Sequence, residues 1–195
     1  MRLALVTTLL CSFTLTACVA ATPPKDDGIL PVMRWDHRPE ATEWTKSSMN
    51  VVALQDDRLA ETIPADIEGW CPGYKTASVQ DRRAFWVGLL SATAKYESTW
   101  NPKASGGGGK WIGLMQIDPR TAQNYGCKAD TASELKDGSA NLACAIRIMS
   151  TQVAKDGMVA GGGNRGIGRD WAPFRNAAKR ADMAEWTKSQ PYCQG

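Results

Sequence analysis

Glu97 stands where a carboxyl group can hold a proton near neutral pH. Upstream, Phe85, Leu89, Ala92 and Tyr96 recur at helical spacing. Downstream, Asn101-Pro102 cannot continue a helix. The spacing predicts a helix over 79–97 whose last turn carries Glu97. The negative end of the helix dipole disfavours a carboxylate there, which raises the pKa. A glutamate that stays protonated near neutral pH is what a general acid needs. A lone glutamate would more often be a solvated helix-end residue, so the neighbouring residues decide. They are Ser98-Thr99-Trp100-Asn101-Pro102, a run of four glycines at 106–109, and then Gly113-Leu114-Met115-Gln116-Ile117.

Several elements must hold these residues in place. Residues 39–61 carry Trp44, Val51, Val52, Leu54 and Leu59 as packing candidates and read as a helix docked on the main domain. Asp118-Pro119 reads as an N-cap followed by proline at the first helical position, opening a helix to about Tyr125. Leu142, Ala145, Ile146, Ile148, Met149 and Val153 form the apolar set of a helix over 141–155, and a last helix covers 176–189. The glycine-rich stretches 103–110 and 157–168 read as mobile loops beside a cleft. Gly161 to Gly166 matches GxGxxG literally. No strand precedes it and no helix opens directly after it, so it is not read as a dinucleotide site. The sum is a mainly α chain, a single compact helical domain with a cleft.

The composition, 43% hydrophobic and 22% charged, is that of a folded globular chain rather than a disordered one. A net charge of +3, lowered by one if Arg2 is removed, is too mild to argue for nucleic acid. Arg2 followed by the apolar run 3–15 reads as an export leader too short to remain as a membrane span. Leu15-Thr16-Ala17-Cys18 resembles the bacterial lipobox, which implies cleavage after residue 17 and a lipid on Cys18. The alternative is an ordinary secretory leader cut near Ala20. Val19 after the cysteine favours an outer membrane by analogy with lipoprotein sorting. The expected organisation is a leader at 1–17, an extended mobile tether at 18–40, a docked helix at 41–62 and the main domain at 63–195. Cys11 falls in the leader, which leaves Cys71, Cys127, Cys144 and Cys193 for an oxidising compartment, hence two disulfides. Three pairings are possible. Cys127–Cys144 with Cys71–Cys193 is preferred, because it ties the loop after residues 113–117 to the next helix and pins the tail to the domain's start. With no CxxC spacing and His37 the one histidine, a zinc site is not expected.

Taken together, Glu-Ser-x-Trp-Asn-Pro, a glycine-rich loop and Gly-Leu-Met-Gln-Ile-x-Pro-x-Thr-Ala, spanning Glu97 to Ala122, resemble the bacterial soluble lytic transglycosylase (SLT) family, with a looser likeness from about Ile63 onward. The resemblance implies a lysozyme-like fold and Glu97 as the catalytic acid and then base. It also implies cleavage of the MurNAc–GlcNAc β-1,4 bond of peptidoglycan to a 1,6-anhydromuramyl end, with no metal or organic cofactor. Ser98, Met115, Gln116 and Tyr125 become the expected substrate-binding residues, and a monomer acting on glycan strands from a lipidated Cys18 is the expected form. Trp100 or Trp111 could stack on sugar rings, Trp86 and Trp186 fit core packing, and Trp171 is ambiguous. The chain departs from the family in lacking an Ala-Tyr-Asn segment, and Asn164 lies in that region without its context. A hydrolysing muramidase using Asp118 as a second carboxylate, with Asp130, Asp137 and Asp170 as further candidates, is one alternative. A wall-binding protein with a dead site is another.

Overall fold

The structure, a computed structural model, describes residues 28–54 and 58–194. The leader, Cys18 and most of the tether lie outside the described residues. Six α-helices make most of the domain: α1 (Ala41–Leu54), α2 (Arg58–Glu61), α3 (Val79–Ser98), α4 (Pro119–Asn124), α5 (Gly138–Asp156) and α6 (Ala177–Lys188). A two-residue hairpin, β1 (Ser105–Gly106) with antiparallel β2 (Trp111–Ile112), is the only sheet among the described residues, and short 3-10 turns link the rest.

The central helix is α3. Its start is set by Ser78, whose hydroxyl accepts from the Asp81 amide at 3.1 Å and donates to the Asp81 carboxylate at 2.7 Å. Every residue from 84 to 94 is buried. A helix buried on all sides rather than along one stripe is a core helix, and α1, α2 and α6 wrap it. α5 runs from its N-cap Asp137, which accepts from the Ala140 amide at 2.8 Å, to Gly157 in the left-handed conformation at φ 62°. The six apolar residues expected to pack from α5 are all buried. α4 begins with the expected N-cap, the Asp118 carboxylate accepting from the Arg120 amide at 2.9 Å.

Three expectations change. The helix read over 39–61 starts at Ala41, its described residues being α1 and α2, and Leu54 is 83% exposed rather than packed. The tether does not reach residue 40. Met33 and Trp35 are core residues, the Trp35 indole donates to the Thr45 hydroxyl at 2.9 Å, and Arg34 grips Asp182 with two bonds of 2.6 and 3.0 Å. Large apolar side chains cost too much to leave in water when a groove accepts them. The 157–168 loop is not free either. Asp66 accepts three of its amides, from Val159, Ala160 and Gly161, at 2.6–3.0 Å, and Asp156 accepts the Gly166 amide at 2.7 Å while pairing with Arg169.

Two disulfides close the domain. Cys127–Cys144 links the end of the α4 segment to α5, and Cys71–Cys193 joins positions 122 residues apart. The long loop makes the second the larger constraint on the unfolded chain. Replacing Cys71 and Cys193 together with serine is expected to cost about 2–5 kcal/mol, or roughly 5–20 °C in Tm, read by thermal melting with and without reductant. An unchanged melting point would show that the bridge constrains nothing.

Candidate active site

Glu97 sits one residue before the end of α3, and the chain turns sharply just after it. Thr99 and Trp100 hold φ values of 53° and 55°, and Gln116 holds 48°. Left-handed backbone at non-glycine residues costs about 1–3 kcal/mol each and must be held by its surroundings. The Trp100 indole donates to the Ser91 carbonyl at 2.8 Å and its ring meets His37 edge-on at 4.6 Å. Trp100 is therefore a brace beneath the turn rather than a sugar platform.

The 113–117 loop is carried to Glu97 by buried bonds. Asn141, fully buried in α5, accepts from the Met115 amide at 2.9 Å and donates to the Ile112 and Leu135 carbonyls at 3.0 Å each. The Ser98 hydroxyl donates to the Leu114 carbonyl at 2.8 Å, which stitches the two sequence motifs together. Gln116 folds back, its amide donating to the Gly113 carbonyl at 3.0 Å.

These elements wall a cleft of about 360 Å³. Glu97, Trp111, Gln116, Asp170, Trp171, Ala172 and Arg175 line it. A narrower arm of about 80 Å³ continues past Trp111 and Gln116 to Asp118 and Thr121. Trp111, on β2, is 46% exposed, the one tryptophan of the cleft free to stack on a ligand. Trp171 is buried, its indole donating to the Met115 carbonyl at 2.9 Å, and it supplies the floor. Burial pushes the Glu97 carboxyl up to about 7, although Lys179 and Arg175 pull the other way. Loss of water, rather than the helix end, is the cause of the shift.

The structure brings together Glu97, Ser98, Gln116 and, through Asp170, Tyr125. The Gln152 amide donates to both the Asp170 carboxylate and the Tyr125 hydroxyl, each at 2.6 Å. Met115 requires a correction. Its side chain is 0% exposed and packs in the core, because an apolar residue held by Asn141 and Trp171 faces inward. Only its backbone serves the site. Asn164 is exposed and does not line the cleft. Asp118 is occupied as the α4 cap and lines the narrow arm, whereas Asp170 shares the main cleft with Glu97. Asp130 and Asp137 line neither arm. Sequence reasoning missed Gln152, Arg175 and the tethering role of Asn141. The Asp170-Trp171-Ala172-Pro173-Phe174-Arg175 run, with its aromatic residues and charges between helices, was the available signal. Among the described residues no cluster of three His, Cys, Asp or Glu side chains is placed to hold a metal, and no helix is long and apolar enough to cross a membrane.

A mainly helical lysozyme-like domain with a half-buried glutamate in a tryptophan-lined cleft defines a class, and the family model described as the transglycosylase SLT domain matches residues 76–185. The chain belongs to that family. It is similar in structure to a glutamate-to-glutamine mutant of DslA (Bd0314), with a TM-score of 0.76 at 26% identity, covering 85% of this chain and 98% of that one. Against a wild-type form of DslA the TM-score is 0.76 at 25% identity, over 84% and 98% of the two chains. No curated protein matches the chain.

Proposed function

We propose that this chain is a lytic transglycosylase that cuts the MurNAc–GlcNAc β-1,4 bond of peptidoglycan without adding water. The observation that carries this reading is Glu97, a half-buried carboxyl raised to about 7 at the head of a glycan-sized cleft. Protonated Glu97 gives its proton to the glycosidic oxygen, and the C1–O bond breaks. The substrate's own N-acetyl carbonyl stabilises the positive charge at C1. Glu97, now a carboxylate, takes the proton of the C6 hydroxyl, and O6 closes on C1 to form the 1,6-anhydro ring. Glu97 ends protonated, as it began. Ser98 fixes the distance between the acid and the Leu114–Gln116 backbone. Gln116, Trp111 and the Tyr125–Gln152–Asp170 group bind and orient the sugars.

A second reading, hydrolysis, is favoured by one observation, the presence of Asp170 in the same cleft as Glu97. A carboxylate there could direct water to C1. Mass spectrometry of digested peptidoglycan separates the two readings. Anhydromuramyl ends, lighter by one water, are expected from the wild type. Asp170→Asn is expected to keep those ends with less than about a tenfold loss in rate, a smaller effect than the loss of a general acid. Reducing ends that vanish in Asp170→Asn would establish the hydrolase instead.

The lipobox-like Leu15–Cys18 run and the two disulfides support export and anchoring through a lipid on Cys18 at the periplasmic face of an outer membrane. In this reading the catalytic domain covers 63–195, acts as a monomer on glycan strands and is braced by residues 28–54 and 58–62. Metabolic labelling with a fatty acid, lost in Cys18→Ala, tests the anchor.

A further inference from the structure

The geometry points to Arg175 as the seat for a substrate carboxylate, so that the preferred glycan carries an anionic group beside the bond that Glu97 attacks. This rests on the glycan-cleaving reading of the cleft. Arg175 lines the cleft with Glu97 and its side chain is exposed. One guanidinium nitrogen donates to the Arg169 carbonyl at 2.5 Å, which fixes the group and leaves its other N–H donors for a ligand.

Arg34, Lys75 and Arg169 pair with Asp182, Glu68 and Asp156 at 2.6 Å each. Among the described residues neither Arg175 nor Lys179 has such a partner. Lys179 instead lies over the Tyr96 ring at 5.2 Å. Asp170, which lines the same cleft, accepts from the Gln152 amide at 2.6 Å rather than from Arg175. Both cations act on Glu97 and favour its charged form, the form that cannot donate a proton. Their pull lowers a pKa that burial still holds at about 7. A carboxylate bound at Arg175 offsets part of that pull and strengthens the hold of Glu97 on its proton.

Peptidoglycan offers carboxylates of two origins. The lactyl group of muramic acid is a free acid where the stem peptide has been removed, and the stem peptide bears its own carboxylates where it remains. Binding to the full mature chain carrying Glu97→Gln, which does not cleave, reads the recognition alone. Three probes are titrated by calorimetry: stem-free GlcNAc–MurNAc oligosaccharides, stem-bearing ones, and neutral chito-oligosaccharides of equal length. Adding Arg175→Gln is expected to weaken at least one carboxylate-bearing probe by about tenfold or more, the scale of a charge-assisted bidentate contact. Arg175→Lys recovers part of it, and the chito-oligosaccharides bind as before. The probe that loses affinity names the source. Unchanged affinity for both acidic probes, or an equal loss for the neutral one, overturns the proposal. Normal anhydro products from the wild type alongside such a result leave the lytic reading standing. An Arg175-dependent preference without any cleavage by the wild type sinks only the lytic reading. Failure of all three probes to bind overturns both.

Discussion

Glu97→Gln is expected to lower the rate of glycan cleavage by about 10²–10⁴, the contribution of a positioned general acid, and at the same time to make the protein more stable in mild alkali. Both effects come from burial. The wild-type rate is expected to fall as pH rises through about 7, because Glu97 enters the reaction protonated. The stability effect follows the same pKa. Below the ordinary glutamate value of 4.5 the group is protonated in both folded and unfolded chains, and ionisation costs nothing. Between 4.5 and about 7 the unfolded chain gives up the proton while the folded chain keeps it, so stability falls with rising pH. Above that the penalty is fully present. Glutamine cannot ionise and escapes it. With solvent screening at a half-buried site, the gain is about 1–2 kcal/mol at pH 8 and near zero at pH 4. Thermal melts of the two proteins at these pH values check the gain, and the digest described above checks the loss of activity. A variant that melts identically to wild type at pH 8 would show that the carboxyl is not desolvated. A variant that keeps its activity would remove Glu97 from the chemistry.

Gly113→Ala is expected to damage both fold and activity, by at least about 3 kcal/mol and more than tenfold in rate, the range of substitutions forced into incompatible backbone and occupied space. Gly113 holds φ 79°, and a Cβ there would lie 2.2 Å from the Leu135 carbonyl oxygen and 2.4 Å from the Asn141 amide nitrogen. Neither atom is free to move. The Asn141 amide already donates to the Ile112 and Leu135 carbonyls, and its oxygen holds the Met115 amide. Displacing Asn141 releases the Leu114 carbonyl that Ser98 binds and turns Gln116 away from Glu97. Asn141→Ala makes the companion test. It leaves buried backbone groups unpaired, at about 1–3 kcal/mol each, without adding bulk. Denaturant melts and digests of both variants are the measurements. Wild-type stability and rate in Gly113→Ala would mean that the loop reaches its position by another route.

Much of this protein was legible in its residue order. Glu97, Ser98 and Gln116 stand in two short motifs whose separation is local, and local spacing survives in a sequence. The same holds for one cap. Asp118-Pro119 was read as the opening of α4, because a cap is a bond between neighbours, whereas the Ser78 and Asp137 caps went unread. The period of apolar residues placed α3 and α5, since helical geometry repeats every few residues. Other features depended on long-range contact. Met115 and Gln116 are adjacent, yet one is core and the other lines the cleft. That division comes from Asn141 and Trp171 gripping the Met115 backbone from distances of 26 and 56 residues. The buried N-terminal strap around Trp35 reads as a linker until the groove that receives it exists. The raised pKa of Glu97 was expected from its helix end and arises instead from lost water, a quantity set by the walls around it. Those walls include Asp170 and Arg175, which follow the pinned 157–168 loop and line the cleft with Glu97. Sequence alone thus determined which helices form and singled out Glu97 with its motif neighbours as the candidate groups, because those are local properties. The tertiary structure decided which charges face the substrate, because facing is a relation between segments far apart in the chain.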